Sequence, residues 1–129
     1  MAGEIKSFRD LMAWQKAIDL CQAVYALTRA FPAHEQFGLT AQMRRLAVSV
    51  PSNIALGYGR QHRHDYARFL NIALGALCEL ETYMVLAVRL GLANADAAGT
   101  CTQMIRKVDR ILCALIRTVR DSAAREDQR

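Results

Sequence analysis

The side chains with the greatest chemical capacity in this sequence are its arginines. Arg60 and Arg63 stand in the segment Arg60-Gln61-His62-Arg63-His64, and Arg68 follows about one helical turn later. Tyr58 and Tyr66 flank this cluster, so rings that could stack on bases accompany cations that could meet phosphates. Further on come Arg106, Lys107, Arg110, Arg117 and Arg120. Of these, Arg106, Arg110, Arg117 and Arg120 recur at helical spacing and keep to roughly one face. Such a stripe suits a nucleic-acid backbone. It equally suits a solvated bundle surface, because Asp109 and Asp121 interrupt it and no base-reading motif accompanies it. The net charge of +5 and pI of about 9.3 permit an anionic partner without requiring one.

A second polar set lies on another predicted helix. Gln42, Arg45, Ser49 and Asn53 recur along one face. Glu79 and Glu81 interrupt the otherwise apolar stretch Leu77 to Leu86, where a buried charge would need a partner. Arg45 and its neighbour Arg44 are the candidates. The pattern predicts either a polar network that fixes helix register or lines a pocket, or an ordinary inter-helix salt bridge on a partly wet seam. The second is the commoner use of charge in a bundle.

Other chemistries find little support. Carboxylate metal bundles place Glu-x-x-His pairs inward from facing helices. Glu79 and Glu81 are two apart and diverge, while His34, His62 and His64 fall in or beside predicted loops. The reading is therefore of no metal and no cofactor. There is no Gly-rich phosphate loop, no G-x-S-x-G and no H-E-x-x-H, so no catalytic residue is assigned and the chain reads as a non-enzyme. The four cysteines, Cys21, Cys78, Cys101 and Cys113, form no C-x-x-C pair, and each sits in a helical pattern as a small buried hydrophobe would. With no apolar leader at the N-terminus, a reduced cytoplasmic setting is expected. Uncharged stretches such as Phe69 to Cys78 reach only about half of a membrane span, so no membrane partner is expected.

The elements that must position these groups are helices. With 129 residues the chain is one domain; hydrophobic residues make up 53% and aromatics only 7%, the balance of an aliphatic helical core. Two rows run from Asp10 to Phe31: Leu11, Trp14, Ile18, Cys21, Tyr25 and Ala17, Leu20, Val24, Leu27, Phe31. Together they make a wide apolar face, able to serve the bundle on one side and a partner on the other. Trp14, Tyr25, Phe31 and, further on, Phe69 are read as core or subunit packing. Pro32 stops the first helix. The second starts near Leu39 or Thr40 on the row Leu39, Met43, Leu46, Val50, Ile54, and Pro51 predicts a kink or break near Ala47 to Val50. Gly57-Tyr58-Gly59 ends it. Asp65 opens a third helix with the row Tyr66, Phe69, Ala73, Ala76, Leu80, Tyr83, Ala87, Leu90, in which Gly75 and Ala76 would admit a close neighbour. Gly91 caps its end, Asn94 caps the start of a fourth, and Cys101, Ile105, Val108, Leu112, Leu115 and Val119 form the last row. Short connections predict an all-α, up-down-up-down antiparallel four-helix bundle, ordered over about 8–120, with a charged tail at 121–129 that frays.

Several strings together resemble one family. They are Phe8-Arg-Asp-Leu-Met-Ala-Trp14-Gln-Lys-Ala17; Phe31-Pro32-x-x-Glu35-x-Phe37-Gly38-Leu39-Thr40-x-Gln42-x-Arg44-Arg45; Ala47-Val-Ser49-Val-Pro51-Ser-Asn53-Ile-Ala55-x-Gly57; and Phe69-Leu-x-Ile-Ala73-x-Gly75-x-Leu-x-Glu79-Leu-Glu81. They are similar to the bacterial 23S rRNA intervening-sequence proteins over about residues 8–92. The resemblance implies a four-helix bundle assembled as a ring-like homopentamer. It also implies kinship with accessory proteins of diversity-generating retroelements, which bind nucleic acid and a reverse transcriptase. Leu56 stands where the family usually has Glu in Asn-Ile-Ala-Glu-Gly, so no carboxylate task is expected there. Gly75-Ala76 likewise replaces the commoner Gly-Ser. The sequence thus points to a homo-oligomeric scaffold binding RNA or DNA, or else to a protein-interaction module without a nucleic-acid role. A small-ligand site at Arg45, Asn53 and Glu79 is the third alternative.

Overall fold

A computed structural model describes residues 3–128. A short 3-10 turn, Phe8–Asp10, leads into four helices: α1 (Met12–Thr28), α2 (Leu39–Tyr58), α3 (Arg63–Arg89) and α4 (Ala95–Asp127). They form an up-down-up-down antiparallel bundle. Among the described residues each helix packs on its neighbours in the cyclic order α1, α2, α3, α4, and the Cα atoms of diagonal pairs stay more than 8 Å apart.

Helix boundaries follow local chemistry. Ser7 and Asp10 form a reciprocal capping box around the first turn. Leu11, extended at φ −73 and ψ 126, then separates that turn from α1. Glu35 Oε1 accepts from the free Leu39 N–H at 3.1 Å and caps α2. Gly91 ends α3 at φ 73, a backbone region costly for other residues. Asn94 Oδ1 accepts from Asp96 N at 2.8 Å and Ala97 N at 3.2 Å at the start of α4.

The core is aliphatic, and each fully buried Leu or Met stabilises it by about 1.5–3 kcal/mol. In α2 the buried row is the expected one, Leu39, Met43, Leu46, Val50 and Ile54. In α3 the period is as expected but half of the register is not. Tyr66, Ala73, Ala76, Leu80 and Ala87 are buried, but Leu70, Leu77 and Met84 fill the centre. Phe69 and Tyr83 are only half-buried, and Leu90 is exposed. Steps of three-then-four and four-then-three share every seventh residue, so period alone cannot choose between them. The same shift makes Ile116, rather than Leu115, the buried residue of α4. By length and a mean hydropathy of 1.4, α3 would pass as a membrane span, but it packs between α2 and α4.

Pro51 does not break α2, which is continuous. Proline has no N–H for the Ala47 carbonyl four residues earlier. That carbonyl instead accepts the Cys21 thiol of α1 at 2.9 Å. A lost helical bond thus becomes an inter-helix bond. The close approach expected at Gly75 is also absent. Gly75 is exposed, and a Cβ there would meet nothing within 4 Å. The tight contact is at Gly57, where a Cβ would lie 3.0 Å from Phe69 Cβ, 3.0 Å from Tyr66 Cδ1 and 3.1 Å from the Tyr66 carbonyl.

The segment from Asp121 is helical to Asp127, with Ala123 buried. Two of its acids meet the start of α3: Glu126 pairs with Arg63 at 3.7 Å, and Asp127 lies 2.9 Å from His64. Fraying was expected from charge composition, which does not register partners from a distant connection. Arg129, the last residue of the expected tail, lies outside the described residues, as do residues 1 and 2.

Gly57→Ala forces a methyl against the α3 backbone. We expect a loss of about 1–3 kcal/mol in urea unfolding, whereas Gly75→Ala should leave stability unchanged or slightly raised.

Candidate nucleic-acid interface

Two groups of arginines occupy different surroundings. The first is at the α2–α3 connection. Close packing at Gly57 sets Tyr66 and Phe69 beside the end of α2, with Tyr58 edge-on to Tyr66 at 6.1 Å between centroids. The Arg60 and Arg68 guanidiniums lie over the Phe69 ring at 5.2 and 4.5 Å. Both also reach Asp65, at 3.7 and 3.5 Å. Arg63 turns the other way, toward Glu126. The connection thus presents arginines that are ordered by a ring and already partnered by carboxylates. An open polar groove of about 380 Å³ lies between Tyr58, Arg60, Gln61, Arg63, Tyr66 and Glu126. Burial, reinforced by the Tyr58 phenol and opposed by Arg63, pushes Tyr66 up to about 12, so its phenol stays protonated and neutral.

The second group is on α4. Arg106 reaches Glu81 of α3 at 3.9 Å. Among the described residues, Arg110, Arg117 and Arg120 form no ion pair, and neither does Lys107. All four are exposed. Arg117 and Arg120 border a groove of about 290 Å³ on the α3–α4 seam, with Asn71, Leu74, Cys113, Ile116 and Asp121. At 1.5 Å rise per residue, Arg110 to Arg120 span roughly 15 Å along the helix. Lys107 sits about a quarter-turn round from this line.

The polar row on α2 divides into local pairs. Arg45 donates to Gln42 Oε1 from Nε at 3.1 Å and from Nη2 at 2.8 Å. Asn53 Nδ2 donates to the Ser49 carbonyl at 2.8 Å and to Ser49 Oγ at 2.9 Å. Glu79 is exposed among the described residues without an ion pair, and Glu81 goes to Arg106. The expected bond from Arg44 or Arg45 to these glutamates is not made. Both carboxylates reach solvent, so nothing compels them to find a cation on α2.

Arg44 has a task the sequence did not single out. It donates from Nε to Thr28 Oγ1 at 2.8 Å and from Nη2 to the Tyr25 carbonyl at 3.5 Å, with its guanidinium 4.6 Å over the Tyr25 ring. A cation thus closes the carbonyl end of α1, where the helix dipole favours it. The double-arginine spacing after Gln42 was the available signal; which arginine turns inward depends on the α1–α2 crossing. The remaining packing candidates divide as well. Phe31 is buried, Trp14 is half-buried edge-on to Phe8 at 5.3 Å, and Tyr25 is exposed beneath Arg44.

All four cysteines are free thiols in different settings. Cys101 is buried, Cys21 and Cys113 are half-buried and Cys78 is exposed, so Cys78 departs from the expected buried role. Burial pushes Cys21 up to about 11 and also raises Cys101. Cys113 is raised by burial and by the nearby Asp109 carboxylate. Among the described residues no three His, Cys, Asp or Glu side chains gather as a metal site would require.

Fold and surface define a helical bundle with an arginine-rich flank. The family model for the 23S rRNA-intervening sequence protein matches residues 9–114, and the chain belongs to that family. Among solved structures it is similar to a protein of unknown function from the S23 ribosomal protein family of Bacteroides thetaiotaomicron VPI-5482. The two share 21% identity with a TM-score of 0.76, over 81% of this chain and 95% of that one. The comparison with curated proteins gave no match.

The thiol settings predict an order of alkylation. At pH 8 Cys78 should react first in the folded protein, read by peptide mass spectrometry. With its ionisation pushed up to about 11, Cys21 should react last together with Cys101. Because the thiolate is the nucleophile, any Cys21 labelling should rise roughly tenfold per pH unit while the pH stays below that value.

Proposed function

We propose that this protein is a non-enzymatic, homo-oligomeric scaffold that binds RNA or DNA through phosphate contacts, centred on Arg110, Arg117 and Arg120 of α4. The observation that carries this reading is that these three exposed arginines follow one helix flank with no carboxylate within ion-pair distance among the described residues. A guanidinium without an internal partner has no ion pair to give up when it takes a phosphate, and each contact releases counterions. Arg60, Arg63 and Arg68 are secondary contacts, because a phosphate there must compete with Asp65 or Glu126. Assembly is supported by the apolar side chains left exposed on α2 and α3, among them Val48, Leu56, Ile72 and Leu86. Four free thiols suit the reducing cytoplasm.

A module that binds only proteins would use the same apolar residues without the α4 arginines, and titration of labelled mixed-sequence RNA and DNA separates the two. Wild-type protein should bind at low salt, with an affinity that falls steeply as salt rises. The triple change Arg110→Gln, Arg117→Gln, Arg120→Gln should cost at least about tenfold and flatten the salt slope by roughly 2–3. The corresponding triple change at Arg60, Arg63 and Arg68 should cost less. Absence of binding at low salt, or binding indifferent to salt, would overturn the nucleic-acid reading and leave the protein-binding one.

A further inference from the structure

Tyr66 is 6% exposed, yet among the described residues its hydroxyl meets no hydrogen-bonding group. A buried phenol ordinarily finds a partner. The hydroxyl is not sealed in the core either. Among the described residues, Thr40 Oγ1 is the one fully covered side-chain oxygen or nitrogen without a partner. The ring of Tyr66 is therefore held inside the bundle while its oxygen reaches open space.

That space includes a second groove of about 380 Å³, between the end of α2, the start of α3 and the last turns of α4. Tyr58, Arg63 and Tyr66 form a common wall between it and the polar groove described above. Unlike that groove, this one is amphipathic. Leu11, Leu115 and Val119 make an apolar floor, and Ile5 is an exposed apolar wall. Arg63, Arg125 and the two tyrosines face it as donors. A recess of this size, mostly apolar with a few convergent polar groups, is what a small ligand needs.

Charge narrows the ligand. Arg125 forms no ion pair among the described residues, and Arg63 meets Glu126 at 3.7 Å. Two guanidiniums against one carboxylate leave one positive charge in excess, which suits a monoanion. Burial keeps the Tyr66 phenol protonated, so it can donate to an anion. A carboxylate accepts from a guanidinium fork and from a phenol together. We propose that this groove binds a small amphiphilic carboxylate, its head on Arg125 and the Tyr66 hydroxyl and a short hydrocarbon body along Leu11, Leu115 and Val119. The site uses none of Arg110, Arg117 and Arg120 and stands apart from the nucleic-acid reading.

Calorimetric titration of the full chain with sodium octanoate tests this. One octanoate should bind per chain with a Kd below about 1 mM. Hexanoate should bind at least about fivefold more weakly, because two buried methylenes are lost. Octanol, with the same body and no charge, should bind at least about tenfold more weakly. Tyr66→Phe deletes an oxygen that has no partner in the fold. Its Tm should stay at or above that of wild type, while octanoate affinity falls about fivefold or more. Arg125→Gln, at an exposed position, should weaken octanoate by a similar factor. Absence of saturable octanoate binding overturns the site. So does octanol binding as tightly as octanoate, or affinity indifferent to Tyr66→Phe or to Arg125→Gln, which would mark adventitious apolar contact. Octyl phosphate binding more tightly than octanoate overturns the choice of a carboxylate.

Discussion

The close approach of α2 to α3 at Gly57 governs the end of the molecule where the first arginine group lies. With no side chain at Gly57, the Tyr66 backbone and the Phe69 side chain come against α2. That places Phe69 as a platform beneath Arg60 and Arg68, and leaves Arg63 on the opposite side to meet Glu126. Through Arg63 and His64 the connection then engages the last turn of α4. Each exposed ion pair contributes little by itself. Together they relate the α2–α3 connection to the helix that carries the unpaired arginines.

Elsewhere the bundle is locked by accounting for backbone groups. Pro51 deprives the Ala47 carbonyl of its helical donor, and the Cys21 thiol supplies one from α1. Arg44 meets a carbonyl at the end of the same helix, partly through Thr28. A proline and an arginine on α2 thus each create a polar link to α1. A polar link has direction and distance, which apolar contact between two helices lacks, so these links resist sliding of α2 along α1. The cost of leaving such groups unpaired in a partly buried seam exceeds the modest gain of each bond.

The charged surface is differentiated by partners rather than by composition. Three arginines at the connection each have a carboxylate within 4 Å, while three on α4 have none among the described residues. In the sequence the two sets read alike, and the connection looks stronger because its cations are dense and flanked by tyrosines. In three dimensions Asp65 and Glu126 reduce its effective charge, and weight moves to α4. The row from Gln42 to Asn53 likewise closes on itself in pairs, and no carboxylate of α3 joins it.

Local chemistry in the sequence was sufficient for the four helices, their antiparallel order and their caps at Gly91 and Asn94, because periodicity and capping depend on residues within about one turn. The buried row of α2 was legible for the same reason. The half-register of α3 was not, since Phe69 and Leu70 fit the same period and only the neighbouring helices decide which faces inward. Nor could local pattern foresee Cys21 meeting Ala47, Glu126 holding Arg63, or Phe37 left uncovered. Those outcomes depend on residues 26 to 63 apart in the chain being brought together or kept apart. The sequence by itself determined which segments are helical and, for α2, which row is buried. Only the tertiary structure decided which arginines have a carboxylate partner and which have none among the described residues, because pairing is a property of distance in space.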